Sequence, residues 1–372
     1  MEASGELLFT ILSCFAQEES RSISENTKWG IRSKFQKGIP HVNTTRLFGF
    51  NKDADGQLCV DPEQGTVVRR IFREYLMGFG EGEIARRLRQ EGIPGITGTS
   101  RWSSTTVRRM LQNEKYQGDL LLQKYYTVSF LTGECARNEG ALDQYFVANA
   151  HEGIVSREEW EAVQQERSRR LAYREEYKLK KLENADPFFN RIRCGACGGM
   201  VVRGYGKAGR EPFWRCGAAC RKHKGASSRT TFPEQEVRRV MCEAWAQLVE
   251  NRAVYEAEWR ATMESSETSA LEKVRARQMM ALMESADRAG RRPEDRWAGA
   301  DGGAAGREWI GVDEGAAEAW HGGFSEERAA VEIWESDVWI RMVLEYMIAS
   351  EREYRVGFLD GSEVTVRVVN GA

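Results

Sequence analysis

Cys194 and Cys197 stand two residues apart, and Cys216 and Cys220 follow after a loop rich in Gly and Arg, with His223 close behind. Two close Cys pairs joined by a short spacer suit a tetrahedral zinc ion, because each pair on a tight turn presents two thiolates about 2.3 Å from the metal. The Gly after Cys194 and the Gly-Gly after Cys197 let the backbone close round an ion without Cβ clashes. The expected ligands of a structural Zn2+ are therefore Cys194, Cys197, Cys216 and Cys220. Three residues rather than two separate the second pair, so His223 competes for the fourth place. A disulfide is disfavoured, since Glu2 and Glu6 stand where a secretory signal would carry basic residues.

The elements that must position this cluster belong to a chain of 372 residues, enough for two or three domains with real cores. No apolar run approaches the ~20 residues of a membrane span, which predicts a soluble protein of a reducing compartment with no membrane partner. The net charge of -2 hides an asymmetry. Basic residues prevail from Lys28 to Arg229, where Glu211 is the sole acid after Arg191, and Glu dominates beyond Cys242. A basic half predicts a polyanionic partner, and an acidic half predicts a separate role such as protein contact.

Taken in order, the first segment reads as one long helix, with Leu8, Ile11, Leu12, Cys14 and Phe15 on an apolar face and Lys28, Arg32, Lys34 and Lys37 at its basic end. At 1.5 Å per residue it spans about 45 Å, more than a small domain can bury. Ser4 reads as an N-cap. The DADG turn then joins two β-like runs, and Asp61-Pro62 opens a helix with Val67, Val68, Ile71, Phe72 and Tyr75 inward. In EGEIARRLRQEGI, Ile84, Ala85 and Leu88 face one way and Arg86, Arg87 and Arg89 the other. Ser103 or Ser104 caps a further helix with Val107, Met110 and Leu111 inward, and Trp102 is placed to staple it. Helix, turn and helix with Arg, Ser and Thr leading the second is the layout of a DNA-reading element, although helical proteins that bind no DNA share it.

Beyond it, residues 119–150 predict two strands around a loop, with Tyr125, Tyr126 and Tyr145 more suited to cross-strand packing than to base stacking. His151 reads as a loop residue. A helix capped by Ser156 continues as a charged connector toward the cysteines. After them, Met241, Ala244, Trp245, Leu248 and Tyr255 mark a helix in which Cys242 is core or surface packing, and imperfect heptads follow. Residues 291–323 have a composition that predicts poor order. WESDVWIRMVLEYMIAS predicts a last helix, and EYRVGFLDGSEVTVRVV a hairpin turning at the Asp-Gly pair.

In order along the chain, AQEESRSISENTKWGIRSKFQKG, LFGFNKDADGQLCVDPEQGTVVRRIFREYLMGFGEGEIARRLRQEGIPG with RWSSTTVRRMLQNEKYQGD, the CGACGG knuckle and FLDGSEVTV resemble the large serine recombinases, site-specific integrases and transposon recombinases. The resemblance implies an α+β, multidomain fold. Its expected parts are a long linker helix at 1–38 ending a resolvase-like catalytic domain, and a mainly helical, helix-turn-helix-like recombinase domain at 39–150. A helical connector at 151–186, a zinc β-ribbon at 187–235 and a helical, coiled-coil region at 236–289 follow. An insert at 290–323 and a C-terminal helix with β-hairpin at 324–372 complete it. The family places its last cysteine further on, near Ala226 and Ser227, so either Cys220 or His223 would close the site through a changed loop, or the site has decayed to three ligands and weak affinity.

The same resemblance implies sequence-specific binding of double-stranded DNA at an attachment or element-end site, with recombinase subunits as protein partners and a cytoplasmic, nucleoid-associated location in a bacterium. Arg101, Ser103, Ser104, Thr105, Thr106, Arg108 and Arg109 would enter the major groove. Lys28, Arg32, Lys34 and Lys37 would follow the backbone, and Arg203, Lys207, Arg210 and Arg215 would hold phosphates beside the ribbon. The family's nucleophilic Ser and catalytic Arg cluster precede the long helix, and Ser4 has no cation beside it, so no catalytic residue is expected in this sequence and the chain by itself should not cut DNA. Two alternatives stand beside this reading: a piece of a working recombinase completed by an upstream-encoded catalytic domain, or an interaction protein that forms mixed dimers with intact recombinase.

Overall fold

The computed structural model describes residues 2–36, 44–54, 56–129, 131–179, 186–205, 212–217, 231–289, 338–350 and 353–368. The segment expected to be a poorly ordered insert, 290–323, lies outside them. The chain divides into two compact units, one formed by 1–68 with 112–156 and the other by 69–111 with 157–372.

The first unit opens on α1 (Glu2–Gln36), the expected long helix. Ser4 sits inside its first turn rather than at the cap, because the helix already begins at Glu2. Leu8, Phe9, Leu12 and Phe15 on α1 are all more than half exposed. A hairpin follows, β1 (Phe50–Lys52) and β2 (Leu58–Val60), closed by the loop in which the Asp53 carboxylate accepts from Gln57 N. Asp61 then caps α2 (Pro62–Leu76): its carboxylate accepts from Gln64 N at 2.9 Å, and Pro62 at the first position forfeits no helical hydrogen bond. Gly49, at φ +95, lies so close to Ile154 and Val68 that a Cβ would meet them at 2.7 and 3.0 Å, which fixes glycine there. The Tyr116 hydroxyl donates to Phe48 O and ties residues 112–156 to the hairpin. The two strands expected around a loop are four short ones, β3 (Leu120–Leu122) paired with β6 (Tyr145–Val147) and β4 (Tyr125–Thr127) paired with β5 (Cys135–Arg137).

In the second unit, α3 (Glu81–Gln90) packs against α4 (Ser104–Leu111). Ile84, Ala85 and Leu88 are buried as expected, but so is Arg87, one turn from Ile84 on the same face. Its guanidinium lies 3.6 Å from Glu74, which also pairs with Arg70 at 2.8 Å, and Arg70 reaches Glu91. Glu74 is fully buried, and desolvation outweighs these cations to hold its carboxyl above the usual range.

Next, α5 (Arg157–Glu176) packs along a later helix and carries Glu166 at its centre. The cysteine segment supplies β7 (Ile192–Cys194), β8 (Val201–Gly204), β9 (Phe213–Cys216) and β10 (Thr231–Pro233), the last three forming an antiparallel sheet in the order β10-β9-β8. Helices α6 (Glu234–Glu250), α7 (Arg252–Glu264) and α8 (Ala270–Ala289) follow. Ser269 and Glu272 form a reciprocal capping box at the start of α8. In the region expected to be helical with coiled coil, the described residues form these three helices: α6 lies against strands, and α8 packs on α5 and α7. Cys242 is core, as its place on α6 beside Met241 and Trp245 implied.

The C-terminal segment departs most from its pattern. WIRMVLEYMIAS is helical only as α9 (Val338–Val343), and Leu344 begins a strand, β11 (Leu344–Ala349). The expected hairpin is present as β12 (Glu353–Phe358) and β13 (Glu363–Arg367), and β11 joins its free edge, where strand pairing overrides helix propensity. The resulting sheet runs β13-β12-β11-β7, with β7 parallel to β11. Trp245 packs on Trp339 and Phe358 in the core beneath it.

Glu166, 5% exposed, is held by Arg169, Arg170 and Arg275 at 2.8, 2.6 and 3.1 Å. Burial opposes its ionisation, but Arg170 and then Arg169 outweigh that and keep the carboxyl well below the usual carboxylate range. Glu166→Gln is expected to cost about 3–5 kcal/mol at neutral pH, read by chemical denaturation. The folded pKa lies below the unfolded value near ~4.3, so this stabilisation is complete above about pH 5 and is lost as pH falls below about 4. The stability gap between wild type and variant should therefore narrow on acidification and stay constant from neutral to mildly alkaline pH.

Candidate nucleic-acid interface and metal site

The outward face of α4 is built from behind. Trp102 is 3% exposed, its indole N–H donates to Ile93 O at 2.9 Å, and Arg89 donates to Trp102 O at 2.6 Å. These contacts fix the loop entering α4. Ser103 is the cap: its hydroxyl oxygen accepts from Thr106 N at 3.1 Å. With Val107, Met110 and Leu111 buried, Arg101, Ser103, Ser104, Thr105, Arg108 and Arg109 are exposed and Thr106 is half-buried. Arg108 pairs with Glu81 at the start of α3 at 2.7 Å, which leaves Arg101 and Arg109 as the exposed cations at the two ends of this surface without a carboxylate partner among the described residues. A capped helix start bearing hydroxyls and guanidinium groups suits both phosphate contacts and base edges.

The other expected DNA contacts are dispersed. On α1, Arg32 and Lys34 are exposed and Lys28 half-buried. Arg215 is exposed on β9, level with Val202 and Thr231 on the neighbouring strands. Arg203 turns out to serve structure rather than an open phosphate site: it pairs with Asp186 at 2.8 Å and Glu234 at 3.4 Å. Lys37, Lys207 and Arg210 lie outside the described residues. Tyr125 is exposed and Tyr145 packs near Phe35, with ring centres 6.3 Å apart. His151 sits edge-on to Phe50 in a loop, as expected, and its pKa is lowered by burial.

The sulfurs of Cys194, Cys197 and Cys216 all lie within 4.8 Å of one another, and those of Cys197 and Cys216 are 3.4 Å apart. Thiolates around a tetrahedral zinc ion with ~2.3 Å bonds stand roughly 3.8 Å apart, so the three fit one metal. The knuckle that aims them is tight: Cys194 N donates to Gly199 O, Gly198 N donates to Cys194 O, and Gly198 takes φ +66. Gly195 N donates to Ala349 O, and a Cβ on Gly195 would fall 2.0 Å from the Ser350 hydroxyl. Partial desolvation, with the neighbouring Cys216 and Cys194 sulfurs adding to it, pushes the Cys197 thiol up to about 11. The fourth-ligand candidates Cys220 and His223 lie outside the described residues.

Residues 62–170, which span α2 to most of α5, match the family model described as Recombinase. Within these residues the chain carries a domain of the Recombinase type. A protein of Bacillus subtilis (strain 168) named "Putative DNA recombinase" is 24% identical over 261 residues, covering 66% of this chain, and the chain spans about half (50%) of that relative's length. A solved structure described as "Crystal Structure of a LSR-DNA Complex" is 15% identical and aligns over 87% of this chain and 94% of its own, with a TM-score of 0.38. A second, from work on the Listeria innocua prophage attP site, is 16% identical over 61% and 86%, with a TM-score of 0.35. No helix among the described residues is long and apolar enough to cross a membrane.

Metal analysis of the purified chain is expected to find about one zinc per polypeptide. Cys216→Ser should lose it together with several degrees of melting temperature, whereas Cys242→Ser, in the α6 core, should keep it. A metal-free wild type of undiminished stability would remove the zinc reading.

Proposed function

We propose that the chain binds double-stranded DNA sequence-specifically as the C-terminal part of a large serine recombinase, serving integration or excision of a mobile element. The exposed face of α4 carries the reading: a Recombinase domain presents a capped helix whose buried side is fixed by Trp102 and whose outer side carries Arg101, Ser104, Thr105 and Arg109. In this arrangement α4 enters the major groove and Arg32, Lys34 and Arg215 follow phosphates. The zinc knuckle is structural, since thiolates filling a metal's coordination leave no open position for chemistry. The domain limits expected from the sequence, with a linker helix at 1–38 and a ribbon at 187–235, belong to the same proposal.

A gel-shift titration with duplexes from the ends of the element tests it. Arg109→Ala is expected to weaken binding about tenfold, relaxing preference at one position if it reads a base or lowering the salt slope by about 1 if it holds a phosphate. Equal affinity for scrambled duplex would overturn the specific reading.

The apolar face of α1 favours a second element of the proposal, pairing of this chain with itself or with an intact recombinase. Leu8, Ile11, Leu12 and Phe15 are 60%, 44%, 58% and 71% exposed, which is costly for a helix alone in water. Leu12→Asp should abolish co-purification with full-length recombinase and leave the melting temperature within a degree or so. Undiminished co-purification would exclude α1 as the pairing surface.

A further inference from the structure

A half-open cavity of about 60 Å³ lies in the second unit between the end of α5, the turn before β7 and the start of β11, lined by Gly78, Arg169, Arg170, Tyr173, Arg191 and Glu345 among others. A water needs roughly 10–15 Å³ on this measure, so the cavity has room for a handful of waters or one small oxyanion, and none for a nucleotide. Its walls carry more positive than negative charge. Arg169 and Arg170 are already engaged with Glu166, and Arg169 also reaches Glu345.

Arg191 is the exception. Its Nη1 donates to the backbone oxygens of Leu344 at 2.6 Å and Arg341 at 3.3 Å, and among the described residues no carboxylate stands within ion-pair distance. A half-buried guanidinium answered by carbonyls alone keeps a net charge that a counter-ion would balance. Burial lowers its pKa to about 10, with Arg341, Arg169 and Arg170 adding to the effect and Glu345 opposing it. Gly78 keeps the approach open: at φ +94, a Cβ there would sit 3.0 Å from Arg341 O and 3.4 Å from Arg191 Nη2.

We propose that this cavity is an anion site in which Arg191 binds a phosphate-type oxyanion. Two sources share that chemistry, free inorganic phosphate and a DNA backbone phosphodiester. Only the second rests on the DNA-binding reading above.

Thermal denaturation of the full chain in millimolar inorganic phosphate, against chloride at matched ionic strength, tests the site. The expected result is a melting temperature that climbs by several degrees and saturates, as binding to the folded state alone requires. Arg191→Gln should abolish the increment. Glu345→Gln, which removes the carboxylate facing the anion, should tighten the apparent Kd for phosphate roughly tenfold. If Arg191→Gln does not fold, Glu345→Gln decides the matter. An increment that never saturates, or is the same in wild type and variants, is general salt exclusion and overturns the proposal.

A duplex arm separates the sources. Competition between duplex and phosphate, with a salt slope lowered by about 1 in Arg191→Gln, identifies a DNA phosphate as the occupant. A phosphate Kd unchanged by duplex identifies the free ion. Loss of all DNA binding with a saturable phosphate effect would sink the DNA-binding reading and leave the anion site standing.

Discussion

The carboxylate of Glu166 is where the second unit is tied together. It sits on α5 among three guanidinium groups, and each of those reaches a different element. Arg170 donates onward to Tyr75 O near the end of α2 and to Phe79 O in the turn beyond it. Arg169 continues to Glu345 on β11, and Arg275 connects α8 to Leu359 O beside the hairpin turn. One buried negative charge thus holds four segments distant in sequence, and each hydrogen bond it accepts makes the desolvation of a neighbouring arginine tolerable. The position of α4 depends on this at one remove: α4 packs on α3 and on α5, whose Gln164 donates to Leu111 O at the end of α4.

Much of this was legible in the sequence wherever a local rule decided the outcome. Asp61-Pro62 started a helix, Ser103 capped one, Asp360-Gly361 turned a hairpin, and apolar spacing picked out the buried faces of α2, α3 and α4. Such features depend on neighbours a few residues away, and the sequence lists those neighbours. The three cysteine sulfurs came together for the same reason, since C-x-x-C spacing needs only a tight turn and one returning strand.

What escaped depended on distant partners. Residues 344–349 carry no mark that an open strand edge awaits them, so Tyr346 and Met347 looked helical until β12 and β7 gave them hydrogen-bond partners. Arg87 looked like solvated charge and Arg203 like a phosphate contact because their carboxylates, Glu74 and the pair Asp186 and Glu234, come from other elements. An arginine's length lets it serve either a polyanion outside or a buried acid inside, and composition cannot tell the two apart. Arg108 shows the intermediate case: it lies on the expected face and is exposed, but Glu81 holds it.

The parallel pairing of β7 with β11 sets residues 192–194 against 347–349, and Gly195 N completes the contact by donating to Ala349 O. The strand that carries Cys194, the first cysteine of the cluster, therefore has a sheet neighbour about 150 residues further along the chain. During synthesis the knuckle leaves the ribosome well before that neighbour exists, so the Gly195 amide and the Arg191 carbonyl that meet β11 must wait with water as partner. Closing so long a loop is slow, because its entropy is lost before any contact repays it. Order around Cys194 is thus coupled in time to synthesis of β11, and a chain stopped short of β11 would hold Cys194 on a strand edge without that neighbour.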